Sequence, residues 1–299
     1  MNAIELENVN KTFGQTRAVD GLSMTMQKGI ICGFLGPNGA GKTTTIRMIM
    51  NIIRPDSGRI EILGGKPGIQ TIGRVGYMPE ERGLYNKMTV RKVLDYFGTI
   101  KGIAKKELYR RIEYWLTEIE LAEHSHKKVE ELSRGMHQKL QFAVAAINNP
   151  DLLILDEPFS GLDPINLELM KNIIINMRNN GKTIIFSTHA MHDAQELCNF
   201  IFLINKGKVV LEGTMDKIRS KYKSDVVSVE IEGAGGFIQK LPIVRQVVKN
   251  NHRLEISLNE QADSQMLLKE LVGKVKINAF EIKGLSLHEI FIKIVGGAQ

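Results

Sequence analysis

The stretch Gly36-Pro37-Asn38-Gly39-Ala40-Gly41-Lys42-Thr43 constrains this chain more than any other. It fits the spacing G-x-x-x-x-G-K-[ST] and lies between two segments of different character. Residues 29–35 are a short apolar run that reads as a strand. Residues 42–53 place Ile46, Ile49, Met50 and Ile53 at helical spacing. Strand, glycine loop and helix, in that order, are the context this spacing requires. The glycines let backbone N–H groups curl around phosphate oxygens with no Cβ in the way, and the start of the helix adds partial positive charge. Lys42 supplies a full charge and Thr43 a hydroxyl for Mg²⁺. A turn that merely preceded a helix would have no use for a lysine aimed into it. Thr44 continues the loop and joins these eight residues as a nucleotide-binding candidate.

A second constraint is Leu152-Leu153-Ile154-Leu155-Asp156-Glu157, which reads as a buried strand ending in two carboxylates. Two acids at the lip of an apolar strand repel each other and lose hydration unless a cation stands nearby. Mg²⁺ carried by a nucleotide is such a cation. Asp156 is the residue expected to hold it, directly or through water, with Glu157 facing the attacking water as general base.

Around these motifs strands and helices alternate. Residues 4–9 and 22–26 read as antiparallel strands, and 59–63, 183–187 and 200–204 as further strands. Residues 89–100, 105–121, 134–148 and Pro164–Asn179 read as helices, the last with proline in its first turn. This pattern predicts an α/β fold with a mainly parallel sheet and an antiparallel part at the N-terminus. Beyond residue 220 the pattern changes. Strands at 226–231, 244–248, Arg253–Leu258 and 275–282, with helices at 263–271 and 287–295, suggest a small α+β unit, with a hairpin turn at Asn250-Asn251. A length of 299 residues suits two domains at ~150 residues each.

Composition removes several classes. Hydrophobic residues at 43% supply a real core, which excludes a disordered chain. No apolar run approaches the ~20 residues of a membrane-spanning helix, and the start shows no basic region followed by an apolar one, so no secretory signal is expected. The net charge of +7 is spread along the chain. It reads as solvated surface, and no nucleic-acid partner is expected. Cys32 and Cys198 sit in apolar segments and read as core residues rather than a bridge.

The motifs together resemble those of ABC-type ATPases. Leu132-Ser133-Arg134-Gly135-Met136 looks like a variant of that family's L-S-G-G-Q signature, Phe159-Ser160-Gly161-Leu162-Asp163 resembles its D-loop, and Ser187-Thr188-His189 its switch histidine. Tyr77-Met78-Pro79-Glu80 occupies the Q-loop slot, and Phe13 matches the aromatic that stacks on adenine. These run in the family's order over residues 1–220. The resemblance implies a P-loop cassette at 1–220, with a helical subdomain at about 86–148 and a small accessory or dimerisation domain at 221–299. It also implies ATP and Mg²⁺ as ligands, the latter held by Thr43, Asp156 and Glu80. Two cassettes, identical or homologous, would pair head to tail. Ser133 and Gly135 of one copy would then meet the γ-phosphate held by the other, with Asp163 crossing between them. His189 would steady the transition state beside Glu157. A separate transmembrane permease is the implied partner, and the cytoplasmic face of the membrane the implied location.

Two motifs depart from the family pattern, and in the signature Met136 also stands where the family has glutamine. Arg134 stands at a glycine position of the signature, and Glu80 stands where the Q-loop has glutamine, with Arg82 available to offset the added charge. Both departures read either as subfamily variation with activity retained or as marks of a slow, regulatory ATPase. A soluble ATPase acting on nucleic acid or the ribosome is a further alternative, though the insertions and tandem cassettes of such proteins are not seen. Pro79-Glu80-Glu81-Arg82-Gly83-Leu84-Tyr85, followed by Met88-Thr89-Val90, resembles the sodium-efflux and drug-resistance exporters. Leu84, Tyr85 and Met88 suit either a contact with the permease or the core.

Overall fold

The computed structural model describes residues 1–81, 83–222, 226–250, 253–259 and 261–296. The chain divides into two compact units between Met215 and Asp216.

In the first unit, β1 (Asn2–Phe13) and β2 (Thr16–Gln27) form a hairpin, and β3 (Ile31–Leu35) leads through the glycine loop into α1 (Lys42–Ile49). β4 (Ser57–Ile62), the short α2 (Ile69–Ile72) and β5 (Val75–Met78) follow. Three helices, α3 (Val90–Ile100), α4 (Lys105–Glu118) and α5 (Arg134–Ala146), precede β6 (Leu152–Asp156). Then come α6 (Pro164–Asn179), β7 (Thr183–Thr188), α7 (Met191–Leu197), β8 (Phe200–Asn205), β9 (Lys208–Thr214) and α8 (Met215–Lys221), which spans the division.

β2-β1-β4 make an antiparallel sheet, and β5-β6-β7-β3-β8-β9 a second sheet that is parallel except for β9. Every residue of β3, β6 and β7 is buried. Strands covered on both faces need apolar side chains throughout, which is why these segments read as unbroken apolar runs. The register places Met78 beside Leu155, Asp156 beside Ser187, and Leu35 beside Thr188. The C-terminal ends of β5, β6, β7 and β3 are therefore level. The residues just past them (Glu80, Glu157, His189 and Gly36) emerge along one edge, where parallel sheets present their loops to ligands.

The helices start where their caps dictate. Thr89 Oγ1 accepts from Lys92 N, Ser133 Oγ from Met136 N at 3.2 Å, and Asp163 Oδ1 from Ile165 N and Asn166 N. α1 is shorter than its apolar spacing predicts. Asn51 turns to a φ of +56°, and the N–H groups of Ile52 and Ile53 both reach back to Arg47 O. β5, β9, α2, α7 and α8 carry little sequence signal. In β5 the cause is Gly76, where a Cβ would lie 2.4 Å from Ala145 O. Close approach of α5 demands the glycine that weakens the strand pattern. Cys32 and Cys198 are buried free thiols.

The second unit is an antiparallel sheet in the order β11-β12-β10-β13. Its strands are β10 (Val226–Glu232), β11 (Val244–Asn250), β12 (Arg253–Leu258) and β13 (Lys276–Lys283), with α9 (Ser264–Leu271) and α10 (Leu287–Gly296). Val227, Val229, Ile256 and Leu258 pack with Ile238, Leu267 and Leu271 into its own core. Asn250 pairs opposite Arg253, and the expected turn residue Asn251 lies outside the described residues.

Lys101, just beyond α3, ties the helical layer to the end of α5. Its Nζ donates to Val144 O at 2.7 Å, Ala145 O at 3.1 Å and Asn148 Oδ1 at 3.0 Å, satisfying carbonyls that the helix end leaves unpaired. Burial brings the ammonium down from 10.5 to about 8. Between those pH values the unfolded chain binds the proton and the folded chain does not, so this group makes stability rise with pH. Lys101→Met is expected to cost about 1–3 kcal/mol at pH 7. In urea unfolding, the gap between the unsubstituted protein and the variant should widen from about pH 8 to pH 10. A gap independent of pH would contradict this reading.

Candidate functional site

The glycine loop owes its shape to close backbone approaches. Gly36 has a φ of +156° and Gly41 of +102°. A Cβ at Gly36 would lie 2.3 Å from Ile204 O, and one at Gly41 2.4 Å from Ala18 O. Gly39 also has a positive φ, +77°, but faces open space. Pro37 O accepts from Ala40 N, and Ala40 O from Gly207 N, so the β8–β9 turn braces the loop from outside. Pro37 is half-buried and Asn38 exposed, while Thr43 and Thr44 are half-buried at the start of α1. Lys42 is buried, and its Nζ donates to Gly36 O at 2.7 Å and Pro37 O at 3.1 Å. Burial lowers its pKa, and the charges of Glu157, Asp156 and Glu80 act to raise it. The fold thus gathers the loop lysine and three acids from separate parts of the sequence into one electrostatic neighbourhood.

Asp156 and Glu157 have different surroundings. Ser187 Oγ donates a short hydrogen bond to Asp156 Oδ1, whereas Asp156 Oδ2 is buried with no hydrogen-bond partner among the described residues. A buried carboxylate oxygen left unpaired is costly and suits a cation. With a hydroxyl at Thr43 and an exposed carboxylate at Glu80, the donors are all oxygen, the set a hard divalent ion takes. Burial, and then the charge of Asp156, push the nearby Tyr77 phenol up to about 12.

Glu157 turns out of the strand with a φ of +50°, its N–H donating to Ser187 O and Ser187 Oγ. Its carboxylate faces His189, with Oε1 2.9 Å from Nδ1 and accepting from His189 N at 3.1 Å. Thr188 Oγ1 donates to Oε2 at 3.3 Å. Glu157 is buried while the His189 side chain is 62% exposed, so the pair spans from core to surface.

The signature and the D-loop meet within the chain. Arg134 Nη2 donates to Ser160 Oγ at 3.1 Å, and a Cβ on Gly161 would fall 2.0 Å from Arg134 Nε. The arginine in place of a signature glycine therefore lies across a glycine of the D-loop. Ser133 is exposed and Gly135 is buried near Leu162 and Asn166. Asp163 caps α6 through Oδ1, and Asn166 Nδ2 donates to Oδ2 at 2.5 Å. Phe13 is half exposed at the β1–β2 turn, with Lys11 Nζ 5.4 Å from its ring centre.

Of the three apolar residues past the Q-loop slot, Leu84 belongs to the core, Tyr85 is exposed and Met88 half-buried. Tyr85 packs edge-on to Tyr96 at 5.2 Å. Arg82 lies outside the described residues. Sequence reasoning misses Gln138 and Gln141, buried amides on α5 that hold the loops after β6 and β5. Their signal is two glutamines at i, i+3 in a helix that is otherwise largely apolar and buried.

Residues 19–160 match the family described as "ABC transporter", and residues 213–295 match "ATP-binding protein DrrA1-3-like, C-terminal domain". The chain is similar to the uncharacterized ABC transporter ATP-binding protein YhaQ of Bacillus subtilis (strain 168), 40% identical over 293 residues and 98% of each chain. It is also similar to Nod factor export ATP-binding protein I of Rhizobium sp. (strain N33), 34% identical over 98% of this chain and 97% of that protein. A solved structure of an ATP-binding subunit of an ABC transporter superposes with a TM-score of 0.69 at 28% identity, covering 74% of this chain and 93% of that one.

The loop geometry generates a direct test on the nucleotide-free protein. Gly41→Ala adds both a strained φ and a clash with Ala18 O, whereas Gly39→Ala adds only the strained φ. Gly41→Ala should therefore lose on the order of 2 kcal/mol more in urea unfolding. Equal losses would contradict this account of the loop.

Proposed function

The chain belongs to the ATP-binding subunits of ABC transporters, and from that premise we propose that two cassettes, identical or homologous, pair head to tail and hydrolyse ATP to drive export through a separate transmembrane permease. The observation that carries this reading is the buried Lys42 ammonium set against Glu157, Asp156 and Glu80 at one edge of the parallel sheet. Residues 36–44 wrap the phosphates, with Lys42 exchanging its own loop carbonyls for phosphate oxygens. Phe13 stacks on adenine. Thr43, Asp156 and Glu80 would hold Mg²⁺, which neutralises charge on the phosphates.

Glu157 takes a proton from the attacking water. The water oxygen bonds to the γ-phosphorus as the bond to the bridging oxygen breaks, and ADP leaves with that electron pair. His189, held 2.9 Å from Glu157, orients the base and donates toward the developing phosphate charge. The other face of the triphosphate meets the signature of the second cassette, where the Ser133 hydroxyl and the Gly135 N–H are the donors. Ser133 Oγ accepts from Met136 N, which leaves its own O–H free to donate outward. Asp163, anchored as a helix cap, stands at that junction.

Export as the direction follows the similarity to the Nod factor export relative. Among the described residues no helix is long and apolar enough to cross a membrane. Peripheral attachment at the cytoplasmic face through the permease follows from membership among the ABC transporter ATP-binding subunits. Tyr85 and Met88 are offered to that contact, and no nucleic-acid partner is proposed. Residues 216–299, with a core of their own, act as an accessory dimerisation domain.

Glu157→Gln should slow steady-state phosphate release at least ~100-fold while ATP still binds and accumulates in a trapped dimer. Undiminished release would remove Glu157 as the base. Deleting residues 216–299 should leave ATP affinity within about twofold yet weaken nucleotide-free dimerisation in sedimentation. Unchanged association would refute the dimerisation role.

A further inference from the structure

Glu80 and Glu157 stand on loops that leave adjacent strands, β5 and β6, whose last paired residues are Met78 and Leu155. One face of α5 touches both loops. Gln138 Nε2 donates to Glu157 O at 3.1 Å and Pro158 O at 3.0 Å. Gln141 Nε2 donates to Pro79 O at 2.7 Å and Glu81 O at 3.1 Å. Three residues apart on a helix, the two amides lie on neighbouring turns of one rigid rod. Each bridges two carbonyls of a loop that bears a carboxylate.

The Gln141 contact is specific. Its two acceptors straddle Glu80, one in the peptide bond before it and one in the residue after. Its own Oε1 is buried with no hydrogen-bond partner among the described residues. The side chain thus forgoes a bond of its own to keep its donors on the loop, and a reversed amide would set oxygen against two carbonyl oxygens. The Glu80 side chain is exposed, so its location depends on its backbone.

We propose that Gln141 is a positioning residue for Glu80. With Gln138 anchoring the turn of Glu157, α5 sets the spacing between the two carboxylates that work at the nucleotide. This rests on the reading of Glu80 as a group acting at the nucleotide. Displacing a catalytic-site group by about 1 Å can cost up to ~100-fold in rate, so a released loop is felt in turnover while the phosphate loop still binds ATP.

The test is a double-mutant cycle in the full-length protein, read as steady-state phosphate release over a range of Mg²⁺ concentrations. Gln141→Met keeps the length of the side chain and removes the donor. It should lower kcat about 5- to 50-fold and raise the Mg²⁺ concentration for half-maximal rate, with KM for ATP within about twofold. In a Glu80→Ala background the same change should cost less than about twofold. Equal losses in both backgrounds would mean that Gln141 only packs, and would overturn the inference. If Glu80→Ala alone leaves turnover unchanged, the reading of Glu80 fails, and the inference with it. Gln141→Leu supplies a second variant, which removes the donor without adding a charge. It should show the same dependence on Glu80, with a loss below about twofold in the Glu80→Ala background. An equal loss in both backgrounds would overturn the inference.

Discussion

A buried ammonium held against its own loop, facing carboxylates that belong to other strands, is the interaction on which the first unit depends. Lys42 loses hydration on burial and recovers part of the loss from two loop carbonyls and from Glu157, Asp156 and Glu80. Such an arrangement is expensive when the groups are loose and useful when they are fixed. Much of the unit acts to fix them. The parallel register sets four strand ends level, Ser187 takes one oxygen of Asp156, and His189 and Thr188 hold Glu157.

Fixing the strand ends leaves the loops beyond them to be placed by the helices. α5 does much of this. Its N-terminus is capped by Ser133, its first residue reaches the D-loop, and its buried amides hold the turns after β6 and β5. At its far end Lys101 closes the last carbonyls. A helix fastened at both ends and on one face moves as a body. Change at the signature can therefore be felt at both carboxylates.

The parts of the site legible in the sequence are those whose residue types answer a backbone requirement. Gly36, Gly41 and Lys42 admit few substitutes, and an apolar strand that ends in Asp156 and Glu157 announces a cation. The α/β class followed from β3, β6 and β7, whose burial on both faces leaves unbroken apolar runs. What stayed hidden depends on partners far away in sequence. Gln138, Gln141 and Ser187 act on groups that only the folded register brings near, and Gly76 conceals a strand because a neighbouring helix excludes its side chain. Arg134 looked like a departure from a motif, and its seat on Gly161 could be seen only with both loops in place.

The central claim is that one nucleotide site takes its phosphate loop from one copy and its signature from another. Mixing two individually disabled proteins tests it most directly. Lys42→Ala spoils the first half of each site and Ser133→Arg the second, and each alone should release almost no phosphate. Mixed in equal amounts they form some dimers with one complete site, and phosphate release should return to roughly a quarter of the unsubstituted rate or below. Failure of the mixture to recover any activity, or full activity of Ser133→Arg on its own, would contradict the claim.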